Sequence, residues 1–255
     1  RASIENYKDI LSNDAHTMEI VKTDLTALAD KYGDDRRTSI ERDVFDLTTE
    51  DLIPDENVVI TMTKLGYIKR MTPDNFKSQN RGGKGIKGMQ TINDDIIEDL
   101  FMATNHHYIM FFTNTGRCFR IKAYNIPEAS RTSRGTALVN LLQLGPDEHV
   151  TASFALKDDY PSSDQYLLLA TKNGMVKKTP IADYANIRKT GLIAMTLRDD
   201  DQLIEAKLID AGEDVMNGTR NGMAIRFNES DVRVTGRSSM GVRGISLDAD
   251  DEVIG

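Results

Sequence analysis

The chain has 255 residues, with 32 Lys+Arg against 40 Asp+Glu for a net charge of −8, and 39% of its residues are hydrophobic. That apolar fraction excludes an intrinsically disordered chain, and no apolar run approaches the roughly 18–20 residues of a membrane span or follows a secretory leader pattern, so a soluble protein of one or two domains is expected. Cys118 is the only cysteine, which excludes an intramolecular disulfide framework and suits a reducing cytoplasm, while the acidic balance taken whole argues against a nucleic-acid partner.

Residues 1–42 are predicted helical. Ile4, Tyr7, Leu11, Asp14, Met18, Val21, Leu25, Leu28 and Tyr32 alternate three and four apart, the spacing of one a/d seam. Asp14 breaks the apolar pattern, and Ser12-Asn13-Asp14 is N-cap chemistry, so two helical pieces are expected to meet there, with Gly33 ending the second. The seam reads as the end of a longer coiled coil, the alternatives being an amphipathic helix packed on its own domain or a dimerisation surface. Arg1 falls inside the helical pattern and Val253-Ile254-Gly255 inside a strand pattern, so a piece of a longer chain is expected. Residues 43–57, acidic and containing Pro54, read as a linker.

From Val58 to Gly255 the texture is β-like, and a repeat emerges. Thr63-Lys64-Leu65-Gly66, Thr113-Asn114-Thr115-Gly116, Thr171-Lys172-Asn173-Gly174 and Thr219-Arg220-Asn221-Gly222 share Thr-x-x-Gly, the glycines lying 50, 58 and 48 residues apart. Two of the four end in Asn-Gly, which predicts a type I′ hairpin turn. Continuous apolar runs such as Tyr108–Phe112 and Leu167–Ala170 precede the turns and predict strands buried on both faces. Polar loops follow, with a further glycine at Gly85, Gly135, Gly191 and Gly241. A period near 50 residues with a central hairpin predicts four propeller-like blades.

Aligning the repeats changes what the charge means. Four residues after each turn glycine stands a cation: Arg70, Arg120, Lys178 and Arg226, accompanied in three copies by Lys69, Lys122 and Lys177. A second column, Arg81, Arg131, Arg188 and Arg237, precedes the loop glycines. The turn-to-loop windows 64–89, 114–135, 172–191 and 220–244 hold 22 of the 32 basic residues and five of the 40 acidic ones. Equivalent positions in a propeller lie around one rim, so these columns predict a basic belt suited to the phosphates of bent duplex DNA; few aromatics lie within it, which disfavours a base-stacking platform for single strands. In the first loop, Gln79-Asn80-Arg81-Gly82-Gly83-Lys84-Gly85 places exposed backbone N–H groups beside charge, and its spacing excludes a P-loop.

That loop closely resembles the seven-residue box Gln-Arg-Arg-Gly-Gly-Lys-Gly of the DNA gyrase A family, departing only at Asn80. Tyr32–Ile40 resembles the end of that family's long coiled coil. Glu128-Ala129-Ser130-Arg131-Thr132-Ser133-Arg134-Gly135 and Thr235–Gly244 are similar to its blade loops, which also occur in the topoisomerase IV relative. The resemblance implies a mainly β fold, a β-pinwheel whose blades exchange strands, normally with six blades, so that four leave the ring open or incomplete. It implies a non-catalytic domain that wraps duplex DNA on its rim for a bacterial, cytoplasmic, nucleoid-associated topoisomerase. ATP and Mg²⁺ would be used by other parts of that enzyme, which would comprise gyrase B and a second gyrase A. The candidate DNA contacts are therefore Gln79, Gly82, Gly83, Lys84 and Gly85, Arg134, and both cationic columns. Asn217 departs from the family by occupying a strand position that is apolar in Phe111 and Leu169.

No catalytic constellation or membrane partner is expected. Asp199-Asp200-Asp201 and Asp248–Asp251 read as solvated turns between blades, His106-His107 as the cap of a strand start, and Cys118 as a packed thiol. The rival functions are DNA-crossing recognition, as in topoisomerase IV, and a propeller that binds protein without nucleic acid.

Overall fold

The computed structural model describes residues 1–35, 37–38, 50–76, 81, 89–92, 95–157, 159–162 and 164–255. The chain divides into two compact units, Arg1–Asp46 and Leu47–Gly255. In the first, α1 (Ala2–Ser12) and α2 (Asp14–Tyr32) meet at Asn13, whose side chain accepts from the Ala15 N–H and caps α2 as expected. No residue of either helix is buried, so the apolar seam is exposed along its length.

The second unit is built from strands β1 (Asn57–Thr63), β2 (Tyr67–Met71), β3 (Ile97–Thr104), β4 (Tyr108–Thr113), β5 (Arg117–Lys122), β6 (Thr136–Ala137) and β7 (Val150–Leu156). It continues with β8 (Tyr166–Thr171), β9 (Met175–Pro180), β10 (Leu192–Ile193), β11 (Leu203–Ile209), β12 (Asp214–Gly218), β13 (Ala224–Asn228) and β14 (Val242–Arg243). Three four-stranded sheets run β3-β1-β2-β6, β7-β4-β5-β10 and β11-β8-β9-β14, and β12-β13 form a fourth hairpin. Each full blade takes its fourth strand from the polar loop of the following repeat: Thr136 pairs with Ile68, Leu192 with Cys118, Val242 with Val176. The exchange of strands is thus visible at three blade boundaries.

Central strands β4 and β8 are buried on both faces, as their continuous apolar runs require. Successive blades stack through these faces, with Ile60, Phe111 and Leu138 in one core and Phe112, Leu169 and Tyr184 in the next. Each fully buried Leu or Phe contributes roughly 1.5–3 kcal/mol relative to an exposed one.

The turns differ from the type I′ expectation. The first three hairpins have three-residue loops and the fourth has residues 219–223 between its strands, and in each only the glycine has positive φ (+81° at Gly66, +77° at Gly116, +82° at Gly174, +87° at Gly222); Asn173 and Asn221 do not. Type I′ needs two such residues, whereas a type I turn followed by a glycine bulge needs one. The repeated threonine has its own role. Its hydroxyl accepts the N–H of the residue after the glycine in every copy: Tyr67 on Thr63, Arg117 on Thr113, Met175 on Thr171 and Met223 on Thr219, at 3.1–3.3 Å.

Acids from the next segment then pin the turns. Asp95 accepts from the Leu65 N–H, Asp201 from Asn173 and Asp251 from Asn221, while Glu148 accepts the hydroxyls of Thr113 and Thr115. This corrects the reading of the aspartate runs as solvated: Asp199 and Asp200 are exposed, but Asp201 is buried because it satisfies a turn. His107 Nδ1 lies 3.2 Å from the Thr104 N–H, capping the β3–β4 turn, and the Cys118 thiol is fully buried.

Candidate nucleic-acid interface

The two cationic columns have different structural fates. In the column four residues after the turn glycine, each of the first three cations reaches the short helical turn of the next repeat. Arg70 Nε donates to the Ile126 carbonyl at 3.1 Å and its Nη1 to Asn105 at 2.6 Å. Arg120 Nη1 donates to the Ala185 carbonyl at 2.9 Å and to the Tyr160 hydroxyl, with its guanidinium 4.2 Å from the Tyr108 ring centroid. Lys178 Nζ donates to the Glu229 carbonyl at 2.8 Å and pairs with the Glu229 carboxylate, both residues buried. Arg226 has no following repeat to grasp among the described residues and pairs with Asp214 on the neighbouring strand, where it is exposed.

The companion lysines point inward. Lys69 is 0% exposed and donates to the carbonyls of Ser130 (3.1 Å), Arg131 (2.7 Å) and Ser133 (3.1 Å). Lys177, also 0% exposed, donates to the carbonyls of Ala194 and Arg237. Lys122 is buried between Glu50 (2.6 Å) and the His106 carbonyl (2.9 Å). Lys69, Lys122, Lys177 and Lys178 are therefore withdrawn from the expected belt: each ammonium group is buried and finds its acceptors within the fold, Lys69 and Lys177 in the loops of the following repeat, Lys122 at Glu50 and His106, and Lys178 at Glu229. Burial, followed by the charge of Arg131, lowers Lys69 below the ordinary lysine range, and burial brings Lys177 down to about 8.

The second column is presented outward. Arg81, Arg134 and Arg188 are exposed, and Arg131 and Arg237 half-buried. Arg134 lies 5.5 Å from the Tyr67 ring centroid. Gln79, Gly82, Gly83, Lys84 and Gly85 lie outside the described residues. Lys189, Arg233 and Arg243 are exposed cations within the same windows that matching the columns alone left out; counting every cation in the loops would have found them.

Three arginines from three repeats, Arg120, Arg188 and Arg237, line one open cleft of about 700 Å³ together with Asn186 and Thr190. Three arginines lining one cleft without an acid among the lining residues suit an anionic group such as a phosphate. Among the described residues, no group of three His, Cys, Asp or Glu could hold a metal ion, and no helix is long and apolar enough to cross a membrane.

The chain is similar to known proteins along most of its length. The family model for the DNA gyrase C-terminal domain, beta-propeller, matches four times, at residues 57–105, 107–157, 165–210 and 213–255. The A subunit of DNA gyrase from Clostridium acetobutylicum is 47% identical over 242 residues, covering 95% of this chain and 29% of the relative. The same protein from Halalkalibacterium halodurans is 44% identical, with 95% and 29% covered. The chain spans under a third of the length of these relatives. Among solved structures, a DNA gyrase A C-terminal domain aligns with a TM-score of 0.62 at 30% identity, covering 78% of this chain and 64% of the other. The C-terminal domain of DNA topoisomerase IV aligns at 0.67 with 26% identity, covering 80% and 61%.

Proposed function

The chain belongs to the DNA gyrase C-terminal domain, beta-propeller family, and from that premise we propose that its second unit binds and wraps duplex DNA without catalysing a reaction. The observation that carries the reading is the convergence of Arg120, Arg188 and Arg237 on one cleft, because three repeats there present positive charge to a single anionic path. Arg81, Arg131, Arg134, Arg188 and Arg237 contact successive phosphates, with Arg120 beside Arg188 and Arg237 in the cleft and Arg70 and Arg226 at the margins. The box residues Gln79, Gly82, Gly83, Lys84 and Gly85 enter on sequence resemblance.

Smoothly bending a site of 20–30 base pairs by 40–90° costs on the order of 1–6 kcal/mol, which several blades of charge-assisted phosphate contacts offset. Binding is accordingly weakly dependent on sequence and steeply dependent on salt. In the whole enzyme, assembled with gyrase B and a second gyrase A in the bacterial nucleoid, the wrap sets the handedness of ATP-driven negative supercoiling.

The test is DNA topology after relaxation and ligation around the chain. A trapped linking change that disappears in R188Q/R237Q is expected. No duplex binding at low salt would leave the protein-binding propeller standing. The likeness in fold to topoisomerase IV supports a second reading, recognition of DNA crossings; duplex binding with no linking change would favour it.

A further inference from the structure

The residue three places after the turn glycine has one spatial relation in the first three repeats: it lies beneath the loop glycine of the next repeat. A Cβ built on Gly135 would come 3.0 Å from the Cβ of Lys69, and one on Gly241 3.0 Å from the Cβ of Lys177. In the second blade the position is Phe119, and a Cβ on Gly191 would meet its ring at 2.8 Å.

The two lysines extend from this point into the backbone of the overlying loop. Lys69 gathers three carbonyls within residues 130–133, including that of Arg131 itself, and Lys177 takes the carbonyl of Arg237. Lys177 also holds Ala194, which follows β10, so it ties the loop of the fourth repeat to the segment completing the second blade. Phe119 cannot donate, and in its blade Arg117 does so instead: its guanidinium lies 4.7 Å from the Phe119 ring centroid and donates to the carbonyl of Thr190, two residues from Arg188. In every exchanged loop, therefore, a cation of the preceding blade holds backbone at or beside the loop arginine.

We propose that Lys69 and Lys177 are positioning residues for DNA, fastening the loops of the next repeat from beneath so that Arg131 and Arg237 stand at fixed places on the phosphate path. This rests on the DNA-wrapping reading. The lysines touch no DNA; they convert a mobile arginine into a preorganised contact, and the ordering entropy of the loop is met in folding rather than at binding.

The test measures binding of the 255-residue chain to linear duplex DNA across a range of salt, for wild type, K177M, R237Q and the double variant, each shown by its melting curve to be folded at the assay temperature. Losing one phosphate contact lowers the slope of log K against log salt by about 0.9. R237Q and K177M are each expected to lower it by about that amount, and the double variant by no more than either. An unchanged slope in K177M, or additive losses in the double variant, overturns the proposal while leaving the DNA reading intact. A wild-type chain without salt-dependent duplex binding overturns both.

A second measurement needs no variant. Reductive methylation of the wild type should leave Lys69 and Lys177 unmodified with and without DNA. Modification in the free chain that DNA suppresses would make them direct contacts and overturn the proposal.

Discussion

Thr171 donates its hydroxyl to the buried carboxylate of Asp201 at 2.7 Å while accepting the N–H of Met175 on the same oxygen, so one side chain closes its own turn and joins it to the next segment. Asp201 also accepts from the Asn173 N–H, which makes the turn and the aspartate a closed set of hydrogen bonds. Thr171→Val keeps the shape and removes the hydroxyl, leaving Asp201 Oδ2 without that donor. We expect a loss of about 1–3 kcal/mol, read as a lower urea midpoint at unchanged slope. A shift below the error of the midpoint would mean that the repeated threonine is not what closes the turn.

The loop glycines serve packing between blades. At Gly241, φ is +78°, and an added Cβ would lie 2.3 Å from the Val176 carbonyl oxygen, the strand against which β14 pairs. Gly241→Ala therefore combines backbone strain of about 1–3 kcal/mol with displacement of the exchanged strand. Gly236, in the same loop, has open space around it and no positive φ. Gly236→Ala should stay within about 0.5 kcal/mol of wild type. Equal effects of the two substitutions on the melting temperature would contradict this account.

Lys177 makes stability depend on pH in a direction opposite to that of a lysine stabilised by an acid. Its folded value is about 8, against an ordinary 10.5, so between these the unfolded chain holds a proton that the folded chain has released. Stability at this site therefore rises with pH across that window and is lowest below it. The amine keeps donors for both carbonyls when neutral, so the latch survives deprotonation. Around it, Arg237 and Asp183 carry charge, while burial pushes the Cys118 thiol up to about 12 and raises the Tyr184 hydroxyl as well, keeping both neutral. Relative to K177M, the wild type should gain on the order of 1–3 kcal/mol between pH of about 8 and about 10. A constant difference between the two proteins across that range would refute the assignment.

The number of blades, their hairpins and the capped helix break at Asn13 were legible in the sequence because each is local: a period, a turn glycine, a cap. What was not legible depended on strand exchange. Lys69 and Arg131 occupy equivalent-looking columns of positive charge, yet one is fully buried and the other half-buried. The difference arises only when Thr136-Ala137 crosses to pair with Ile68 and Tyr67 of the preceding blade and brings residues 130–133 over Lys69. Strand alternation could have hinted at it, since Lys69 shares its face with the half-buried Tyr67 and the buried Met71 on a strand paired at both edges. Asp201 was hidden for a related reason: three aspartates in a row look solvated until Thr171 is found 30 residues away.

Asn217 marks the weakest position in the repeat. It lies in β12 five residues before its turn glycine, where the second and third repeats place Phe111 and Leu169, both 0% exposed. Asn217 is only 4% exposed, and its amide nitrogen has no hydrogen-bond partner among the described residues. Burying such a donor unpaired costs about 1–3 kcal/mol, and Leu keeps the branching of the Asn side chain without its polar group. Asn217→Leu is therefore expected to raise the melting temperature and urea midpoint of the chain. It should leave the salt dependence of DNA binding unchanged, because Asn217 stands opposite Ile225, whereas Arg226, opposite Met216, lies on the other face of the hairpin. A lower midpoint would show that the amide has a partner the hairpin needs, and the fourth repeat would then carry a polar contact where the second and third carry an apolar one.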